Sequence, residues 1–317
     1  MSPTLSFIIV NWNGGDLLKR CLESIALYPP STPWDIIVVD NASTDSSREW
    51  LRSRATNGES AAIPLRLIEN DENFGFGRAN NQAFALSESD FLFLLNADTE
   101  LTPGACDVLI KTLSSSEQIG ACGPRLLNSD GSLQHSVWRN PRTAREIIIG
   151  GLGIWRLIPR RLRGELLLGG HWDHATRREV PMLFGAAILA KRKMIGEVGG
   201  FDERFHMYAE DQEWCLRIVR AGWQLVFEPT ASVMHHGAQF SLQRWTDLEK
   251  LRVQIRSGFQ YNRYCLSRPQ SIAYLSAVCF VSLIRKTWYK LRGRPAETPQ
   301  ILWELNRAEL KRTLTGH

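Results

Sequence analysis

Short apolar runs in the first hundred residues predict four strands, and apolar positions at helical spacing predict helices between them. The predicted strands are residues 5–10, 36–39, 65–68 and 91–95. The fourth run, Phe-Leu-Phe-Leu-Leu, is apolar at every position, which is typical of a strand buried on both faces. Strands that alternate with helices in this way indicate an α/β domain built on a parallel sheet.

The second half of the chain is less regular but carries further strand and helix signals. Residues 120–138 predict short strands joined by a turn at 128–131. Further predicted elements are strands at 184–190, 225–228 and 231–234, a turn at 199–202 and a helix at 211–221. Beyond residue 237 the pattern is helical. We therefore expect an α/β body followed by a helical extension.

Residues 139–163 combine seven arginines and one glutamate with two apolar runs and glycines at 150, 151 and 153. The pattern of this segment allows two interpretations. The segment is either a mobile lid or membrane-touching loop, or an ordinary amphipathic helix packed on the body.

Composition indicates a globular protein, because 44% of the 317 residues are hydrophobic. The net charge of +5 is unevenly distributed, since residues 239–317 hold 14 Lys and Arg against 5 Asp and Glu. In that basic tail, residues 272–284 form an apolar stretch. As a helix it would measure roughly 20 Å, which is shorter than the approximately 30 Å core of a bilayer. We expect the tail to lie on an anionic membrane surface, without spanning it and without binding nucleic acid; a solvated face or a buried helix is the alternative.

The first strand and the cysteines give no sign of export. The apolar residues 5–10 lack a basic region before them and a small-residue cleavage site after them, so they do not resemble a signal peptide. The six cysteines contain no Cys-x-x-Cys pair, which predicts reduced thiols and neither a disulfide framework nor a zinc site. We expect a cytoplasmic protein, peripheral on the inner face of the cell membrane.

Two acidic clusters, about half a chain apart, carry the candidate chemistry. Asp98 follows the buried fourth strand, where open α/β sheets bind ligands, although it could instead cap the helix after Thr102. A carboxylate at this place could anchor a divalent cation that neutralises a departing diphosphate. Glu210 and Asp211 open a helix. Acidic residues there either suit the helix dipole or, for Asp211, accept a proton from an attacking hydroxyl.

Other polar residues follow predicted strands or loops. His235 and His236 leave a strand toward opposite sides, so only one should reach the strand-end face; we assign His235 to the cation, the alternative being a structural histidine. Asp40 ends the second strand and either forms a turn or accepts a hydrogen bond from a uracil or thymine base. Arg78, in a glycine-bearing loop that enters a helix, could face a nucleotide.

Eight short segments occur in order along residues 4–241. They are V-N-W-N-G at 10–14, V-V-D-N-A-S-T-D at 38–45, N-F-G-F-G-R-A-N-N at 73–81, L-L-N-A-D-T at 94–99, G-A-A-I-L-A at 185–190, G-G-F-D-E-R-F at 199–205, Y-A-E-D-Q-E-W-C at 208–215 and H-H-G at 235–237. Together they resemble glycosyltransferase family 2, in particular its bacterial rhamnosyltransferase-type members. The resemblance implies a GT-A fold, with a Rossmann-like nucleotide-binding half, a mixed central sheet and an acceptor half. We therefore place the glycosyltransferase domain at residues 1–238, divided near residue 100, and a basic helical extension at 239–317.

The resemblance also implies the roles of individual residues. The residues matched to nucleotide-sugar binding are Asn11, Asp40, Asn73, Arg78, Asn96 and Asp98. Asp98 and His235 match contacts to a divalent cation, Mg²⁺ or Mn²⁺, and to the diphosphate. Asp211 matches the general base of an inverting single displacement, in which an acceptor hydroxyl attacks the anomeric carbon.

One position departs from the family pattern, because Asn96 stands where the acidic triplet often begins with Asp. A neutral amide is a weaker ligand for a hard cation, so we expect modest metal affinity or greater reliance on His235. The resemblance implies a dTDP- or UDP-sugar donor, with dTDP-rhamnose favoured, and a saccharide or lipid-linked saccharide acceptor in cell-surface polysaccharide synthesis. The alternative is a non-catalytic nucleotide-sugar or saccharide-binding protein on the same fold. Neither the linkage nor the oligomeric state follows from the sequence.

Overall fold

The structure, a computed structural model, describes residues 4–56, 64–140, 142–237 and 246–315. The chain divides into two compact units. The first comprises Met1–Trp138 and His174–Arg244, and the second comprises Arg139–Asp173 and Trp245–His317. The domain boundary expected at residue 238 lies outside the described residues.

The described part of the first unit is built on a mixed sheet of ten strands. The strands are β1 (Leu5–Asn11), β2 (Trp34–Asp40), β3 (Leu65–Glu69), β4 (Phe91–Asn96), β5 (Thr99–Leu101), β6 (Ile119–Leu127), β7 (Leu133–Gln134), β8 (Arg178–Glu179), β9 (Ala187–Lys191) and β10 (Gln224–His235). Eight strands follow the order β3-β2-β1-β4-β9-β6-β10-β5, with β7 beside β6 and β8 beside β10. Strands β1 to β4 are parallel, whereas β9 runs antiparallel to both its neighbours. The predicted mixed sheet is confirmed.

Eleven α-helices accompany the sheet within the described residues. They are α1 (Gly15–Leu27), α2 (Ser47–Thr56), α3 (Phe76–Leu86), α4 (Ala105–Ser114), α5 (Ala144–Gly151), α6 (Arg160–Leu167), α7 (Arg192–Val198), α8 (Glu210–Arg220), α9 (Asp247–Cys265), α10 (Arg268–Leu291) and α11 (Glu297–Thr315). Helices α5, α6 and α9 to α11 belong to the second unit.

The core of the first unit lies between the central strands and the helices that cover them. Alternate residues of β1, Phe7 and Ile9, join Phe93 of β4 in one apolar cluster. Helix α1 adds residues at helical spacing to the same cluster, among them Leu18 and Leu22. All of β4 before Asn96 is buried, as predicted for a strand covered on both faces. The strand can therefore hold its terminal polar residues in a rigid place.

Two strand predictions differ from the structure. The strand expected at 184–190 begins only at Ala187, because the residues before it form a turn that is closed by a hydrogen bond from Ala187 N–H to Phe184 O. The strands expected at 225–228 and 231–234 are one strand, β10, whose pairing with β6 shifts register between Glu228 and Ser232. Pro229 lies in this irregular stretch and cannot donate a ladder hydrogen bond, which explains the interrupted pattern.

In the second unit, residues 139–173 group with the C-terminal helices. Helix α5 lies close to α10: a Cβ atom at Gly151 would fall 2.3 Å from Cγ1 of Val281, so the contact depends on glycine. Tyr261 of α9 also donates its hydroxyl hydrogen to Oδ1 of Asn140 at 2.7 Å. The segment is mainly helical, as one interpretation held, but it packs within this unit. Periodicity alone could not predict contacts between residues more than a hundred positions apart.

Helix α10 extends well past the apolar stretch expected at 272–284. It begins at Arg268, where Oε1 of Gln270 accepts a hydrogen bond from the backbone N–H of Ser267 at 3.0 Å. Its buried residues include Leu275 and Val281. Among the helices of the described residues, none is both long enough and apolar enough to cross a membrane.

Candidate active site

Three polar side chains stand at the carboxyl ends of neighbouring parallel strands. Asn11 ends β1, Asp40 ends β2 and Asn96 ends β4. The strand register pairs Asn11 with Asp40 and Val10 with Asn96, so the three residues end their strands at one edge of the sheet, with Asn96 one position before the level of Asn11 and Asp40. This edge is where open α/β sheets bind ligands. The structure therefore brings these predicted site residues together.

Asp40 is completely buried and held from several sides. Its Oδ1 accepts a hydrogen bond from Nδ2 of Asn11 at 2.8 Å, and its Oδ2 accepts one from the backbone N–H of Ser43 at 3.1 Å. Nε of Arg48 lies 3.6 Å from Oδ2. The carboxylate is thus rigid and charge-compensated. Its contact with a nucleotide base stays a prediction.

The loop between β3 and α3 is built around an unusual glycine. Gly75 has φ +83°, and a Cβ atom there would lie 2.4 Å from the backbone oxygen of His206. Oδ1 of Asn73 accepts hydrogen bonds from Nδ2 of Asn41 at 2.8 Å and from the backbone N–H of Gly75 at 2.9 Å. Asn73 therefore shapes this loop from within, and its direct contact with the donor stays a prediction.

Arg78 lies at the surface of the same region. Its guanidinium lies over the ring of Phe74, 3.9 Å from the ring centroid, and its Nε is 3.9 Å from Oε2 of Glu203. The side chain is about half exposed. The stacking orients the guanidinium while leaving it accessible to an anionic ligand.

Asp98 and His235 come together from distant parts of the chain. Nε2 of His235 lies 3.4 Å from Oδ1 of Asp98 and 3.5 Å from Nδ2 of Asn96. Strand β10 causes this proximity, because His235 pairs with Thr99 of β5 in antiparallel register. Both Asp98 and His235 are less than a tenth exposed. A carboxylate, an imidazole and an amide thus converge at one point.

His236 points away from that point, as strand alternation predicts. Its Nδ1 lies 2.6 Å from Oγ of Ser129, and its Nε2 lies 2.8 Å from Oε1 of Glu100. Arg20 in turn binds Glu100 at 2.5 Å. His236 therefore ties the loop after β6 to β5, and of the two histidines it is His235 that faces Asp98.

Gln134 orients the ring of His235. Its Oε1 lies 2.7 Å from Nδ1 of His235, while its Nε2 donates to Oδ1 of Asn128 at 3.0 Å. With Oε1 as acceptor, Nδ1 of His235 carries the proton and Nε2 presents a lone pair toward Asp98. A cation placed between this nitrogen and the carboxylate would be bound by both groups.

Asp211 lies in the first turn of α8, after a strained corner. Tyr208 and Ala209 have φ values of 63° and 69°, a left-handed conformation that costs a non-glycine residue about 1–3 kcal/mol. Oδ2 of Asp211 accepts a hydrogen bond from the backbone N–H of Gly185 at 3.1 Å, and Oδ1 accepts one from the N–H of Gln212 at 2.8 Å. Burial nevertheless raises the pKa of Asp211 above its ordinary value. The site therefore holds a carboxylate that is more basic than one in water.

Glu210 is the neighbour of this carboxylate. Burial, followed by the negative charge of Asp211, raises the pKa of Glu210 to about 8. Its Oε2 is buried and makes no hydrogen bond within the described residues. The two carboxyl groups titrate as a pair, and burial raises the pKa of both, so this corner holds its protons more tightly than carboxyl groups in water do.

Residues 184–186, hereafter called the bridging turn, contact both acidic clusters. Gly185, the middle residue, donates its backbone N–H to Oδ2 of Asp211. The carbonyl of Ala186 accepts a hydrogen bond from the N–H of Asn96 at 3.0 Å. The ring of Phe184 packs edge-on against His235, with centroids 5.9 Å apart. The two clusters, distant in sequence, therefore border one site.

Comparison with known proteins identifies the family. The family model described as "Glycosyl transferase family 2" matches residues 6–183. An N-acetylglucosaminyl-diphospho-decaprenol L-rhamnosyltransferase of Mycobacterium tuberculosis is 32% identical over 257 residues, which cover 75% of this chain and 78% of that protein. The chain belongs to glycosyl transferase family 2. It is a glycosyltransferase, as the eight segments predicted.

Solved structures agree with the predicted GT-A fold of this family 2 glycosyltransferase. Mannosyltransferase PcManGT from Pyrobaculum calidifontis, solved with GDP-Man and Mn²⁺, aligns with a TM-score of 0.54 at 17% identity and covers 99% of this chain and 88% of that one. GalNAc-T7, solved with UDP, GalNAc and Mn²⁺, aligns with a TM-score of 0.55 at 19% identity, over 74% of this chain and 43% of that one. The fold is confirmed.

The donor set of this glycosyltransferase fits a divalent cation that its substrate would help to bind. No cluster of three His, Cys, Asp or Glu side chains that could hold a metal ion occurs in the described ranges. Asp98 and His235 supply one oxygen and one nitrogen, and Asn96 adds a neutral amide. Mg²⁺ is commonly bound by one or two protein carboxylates together with substrate phosphates and water. The limited protein ligand set is compatible with that mode.

Three residues of the site were not identified from the sequence of this glycosyltransferase. Gln134 lies in a two-residue strand, and nothing local marks it as a partner of His235. Phe184 precedes a run of small residues and was assigned to a strand. The backbone oxygen of His206 accepts a hydrogen bond from the N–H of Phe76 at 3.1 Å. The glycines of the loop before α3 were the one available signal of a close backbone approach.

Proposed function

We propose that this glycosyltransferase transfers a sugar, with inversion, from a nucleoside-diphosphate sugar to a hydroxyl of a saccharide or lipid-linked saccharide in cell-surface polysaccharide synthesis. The favoured donor is dTDP-rhamnose, and a UDP-sugar is the other donor class. The observation that carries the proposal is the bridging turn. Through it a buried basic carboxylate and the pair formed by Asp98 and His235 border the same site.

Asp211 serves the incoming hydroxyl. Its raised pKa makes it a better proton acceptor than an exposed aspartate. The hydrogen bonds from Gly185 and Gln212 fix the direction of the carboxylate. As the acceptor oxygen forms its bond to the anomeric carbon, Asp211 takes the hydroxyl proton, and the bond from that carbon to the diphosphate oxygen breaks.

Asp98 and His235 serve the leaving diphosphate. When bound by these two residues, a Mg²⁺ or Mn²⁺ ion would supply Lewis-acid stabilisation of the negative charge that builds up on the leaving group. Gln134 holds the imidazole so that Nε2 faces Asp98. Arg78, which is half exposed, is placed to meet a further anionic part of the donor.

Asn11, Asp40 and Asn96 support binding of the nucleotide half at the carboxyl ends of the strands. The carboxylate of Asp40 lies at the end of β2, where the resemblance assigns the base of the nucleotide. A uracil or thymine N3–H would approach the oxygen atoms of Asp40, which already accept hydrogen bonds from Asn11 and Ser43.

The donor and acceptor are supported by the relative named above. That protein is an L-rhamnosyltransferase acting on an N-acetylglucosaminyl-diphospho-decaprenol, which favours rhamnose as the sugar and a polyprenyl-diphosphate saccharide as the acceptor. Such an acceptor is anchored in a membrane by its lipid. The enzyme would then work at the inner face of the cell membrane.

The test is a donor screen with the purified full chain. Each candidate donor, including dTDP-rhamnose, UDP-N-acetylglucosamine and GDP-mannose, is incubated with polyprenyl-diphosphate N-acetylglucosamine and Mg²⁺. Mass spectrometry of the lipid then identifies the transferred sugar, and nucleoside diphosphate release is followed in parallel. The expected result is a lipid heavier by one deoxyhexose with dTDP-rhamnose. A product with a different donor contradicts the rhamnose assignment while leaving sugar transfer intact.

Stereochemistry and metal dependence need separate measurements. Proton NMR of the product should show an anomeric configuration opposite to that of the donor, and a retained configuration contradicts the single displacement. Full turnover after exhaustive chelation contradicts a metal role for Asp98 and His235.

A further inference from the structure

Helix α10 carries large apolar side chains that face solvent. The exposed residues, hereafter called the apolar stripe, are Phe280, Leu283, Ile284, Trp288 and Leu291. Their exposed fractions run from 40% for Ile284 to 82% for Leu291. Since they recur every three or four residues, they occupy one face roughly 140° wide.

The other side of α10 is already occupied within the second unit. Leu275, Val281 and Ser282 are buried, and Val281 lies against Gly151 of α5. The apolar stripe is therefore not part of that core. The described residues of this chain leave these five side chains exposed. An exposed apolar patch of this kind marks an interaction surface.

Positive charge borders the apolar stripe. From Arg268 to Ala296 the sequence contains six basic residues and no Asp or Glu. Five of the six lie beside the C-terminal half of the stripe: Arg285, Lys286, Lys290, Arg292 and Arg294. These five are hereafter called the basic rim.

Aromatic rings link the stripe to its rim. The guanidinium carbon of Arg292 lies 4.7 Å from the ring centroid of Trp288, and that of Arg294 lies 5.6 Å from it. Indole rings and long basic side chains both prefer the boundary between hydrocarbon and water, because each has an apolar body and a polar end. Trp288 and its two arginines thus have the chemistry of a bilayer interface.

We infer that the apolar stripe and the basic rim form a docking surface for an anionic lipid bilayer, with α10 lying in the plane of the interface. A helix with an apolar face and a Lys- and Arg-rich border binds such a surface by burying the apolar side chains below the headgroups. The basic side chains gain from the negative potential of anionic lipids. Helix α10 fits this in-plane arrangement, since none of the described helices could cross the membrane.

Charge argues against two other occupants. A symmetric dimer through the apolar stripe would bring two basic rims close together, with no acidic residue on α10 to compensate. A nucleic acid would use the rim but leave the apolar side chains in water. A bilayer with acidic headgroups would bury the apolar stripe and attract the basic rim.

The structure-based surface differs from the one expected from the sequence. The apolar stretch at 272–284 supplies buried residues such as Leu275 as well as exposed ones such as Phe280, and the exposed face runs on to Leu291. The inference does not rest on the proposed donor or acceptor, because binding to vesicles is measured without any sugar. It would also place the enzyme beside a lipid-linked acceptor.

The test is co-sedimentation of the full chain with vesicles of phosphatidylcholine, alone or mixed with phosphatidylglycerol. We expect binding to the anionic vesicles that weakens as salt rises, and little binding to the neutral ones. The double variant Phe280→Ser/Leu291→Ser should bind about tenfold more weakly, because two apolar anchors are lost. The double variant Arg285→Gln/Arg292→Gln should also bind roughly tenfold more weakly.

Matched controls separate the stripe from general surface effects. Leu27→Ser removes an apolar residue that is 67% exposed on α1, and Arg54→Gln removes a basic residue on α2. Both controls should bind like the unaltered protein. Circular dichroism and gel filtration check that each variant is folded and monitor self-association.

Three results overturn the inference. The first is an unaltered protein that ignores anionic vesicles at low salt. The second is a folded Phe280→Ser/Leu291→Ser variant that binds as tightly as the original, which would indicate binding through charge alone. The third is a dimer that only this variant loses, while vesicle binding is unchanged, which would assign the stripe to a second copy. If Phe280→Ser/Leu291→Ser fails to fold, the salt dependence of vesicle binding and the binding of Arg285→Gln/Arg292→Gln still test the inference.

Discussion

Gly185 donates its backbone N–H to Oδ2 of Asp211 at 3.1 Å. This hydrogen bond stabilises the ionised carboxylate, whereas burial of the same group disfavours it and raises its pKa. Burial is the larger of the two effects, so the pKa of Asp211 lies above that of an exposed aspartate. Because the bridging turn also contacts Asn96 and His235, the position of the base is coupled to the side of the site assigned to the diphosphate.

Replacing Asp211 by Asn should reduce kcat by about 10²–10⁴-fold, the range expected when a general base is lost. The amide keeps the size of the side chain and an oxygen that can accept the hydrogen bond from Gly185, so donor binding should survive. Steady-state kinetics measure kcat, and calorimetry with the nucleoside diphosphate measures binding.

The matched control for this variant is Glu117→Gln. It removes a carboxylate that is 89% exposed and lies before β6, so it should leave kcat and donor affinity unchanged. Retained turnover in Asp211→Asn would assign the proton transfer to another group.

The fold was predictable to the extent that it depends on local apolar patterns. The run before Asn96 is apolar at each position, and the structure buries it as β4 at the centre of the sheet. Asp40, at the end of β2, could be proposed from the strand pattern, because parallel strands end at one edge, whereas the roles of Asn11 and Asn96 came from the resemblance. Asp98 and His235 could be proposed for one cation from the strand ends and from strand alternation, and the ordered segments of the resemblance supported that assignment.

Other contacts of the site depend on residues that are distant in sequence and carry no local signal. Gln134 and His235 are 101 positions apart, and β7, which carries Gln134, has only two residues. The bridging turn was expected as a strand, because small and apolar residues suit both. The grouping of residues 139–173 with the C-terminal helices arises from packing such as Gly151 against Val281, which periodicity does not report.

Replacing Gln134 by Ala should weaken divalent cation binding about 10–100-fold, the usual effect of removing a hydrogen-bond partner from a metal-binding histidine. Without the acceptor at 2.7 Å, the ring of His235 loses the contact that holds Nδ1–H and directs Nε2 toward Asp98. Electron paramagnetic resonance of free Mn²⁺, in the presence of nucleoside diphosphate, measures the affinity directly and independently of turnover.

Gln134→Glu provides a conservative comparison, since its carboxylate can still accept from Nδ1–H and should retain most of the affinity. Gln118→Ala, an exposed glutamine before β6, should have no effect. Equal Mn²⁺ affinity in Gln134→Ala and the unaltered protein would remove the orienting role.

Replacing Gly75 by Ala should destabilise the protein by about 3 kcal/mol or more, because two costs combine. The backbone has φ +83° and ψ 171°, a region that is essentially restricted to glycine, and the new Cβ would lie 2.4 Å from the backbone oxygen of His206. Gly104→Ala is the milder comparison, since Gly104 is in the left-handed region at φ +73° and ψ 0° and its new Cβ would meet no atom of a non-neighbouring described residue within 4 Å. We expect about 1 kcal/mol for that variant in urea unfolding. Equal losses would show that the approach of His206 is not rigid.

Replacing Glu210 by Gln should stabilise the protein at alkaline pH. The pKa of Glu210 is raised from an ordinary value of 4.5 to about 8 by burial and by Asp211, so the folded state binds a proton that the unfolded state releases. Stability therefore falls as pH rises from 4.5 toward 8, and this contribution is fully present only below the lower value. A neutral glutamine cannot lose that proton. The free energy of unfolding of Glu210→Gln should exceed that of the original protein by about 4 kcal/mol at pH 8 and should approach it near pH 5. Urea unfolding at the two pH values measures the difference, with Glu117→Gln as the exposed control. A difference that does not change with pH would mean that Glu210 already carries its charge in the folded protein.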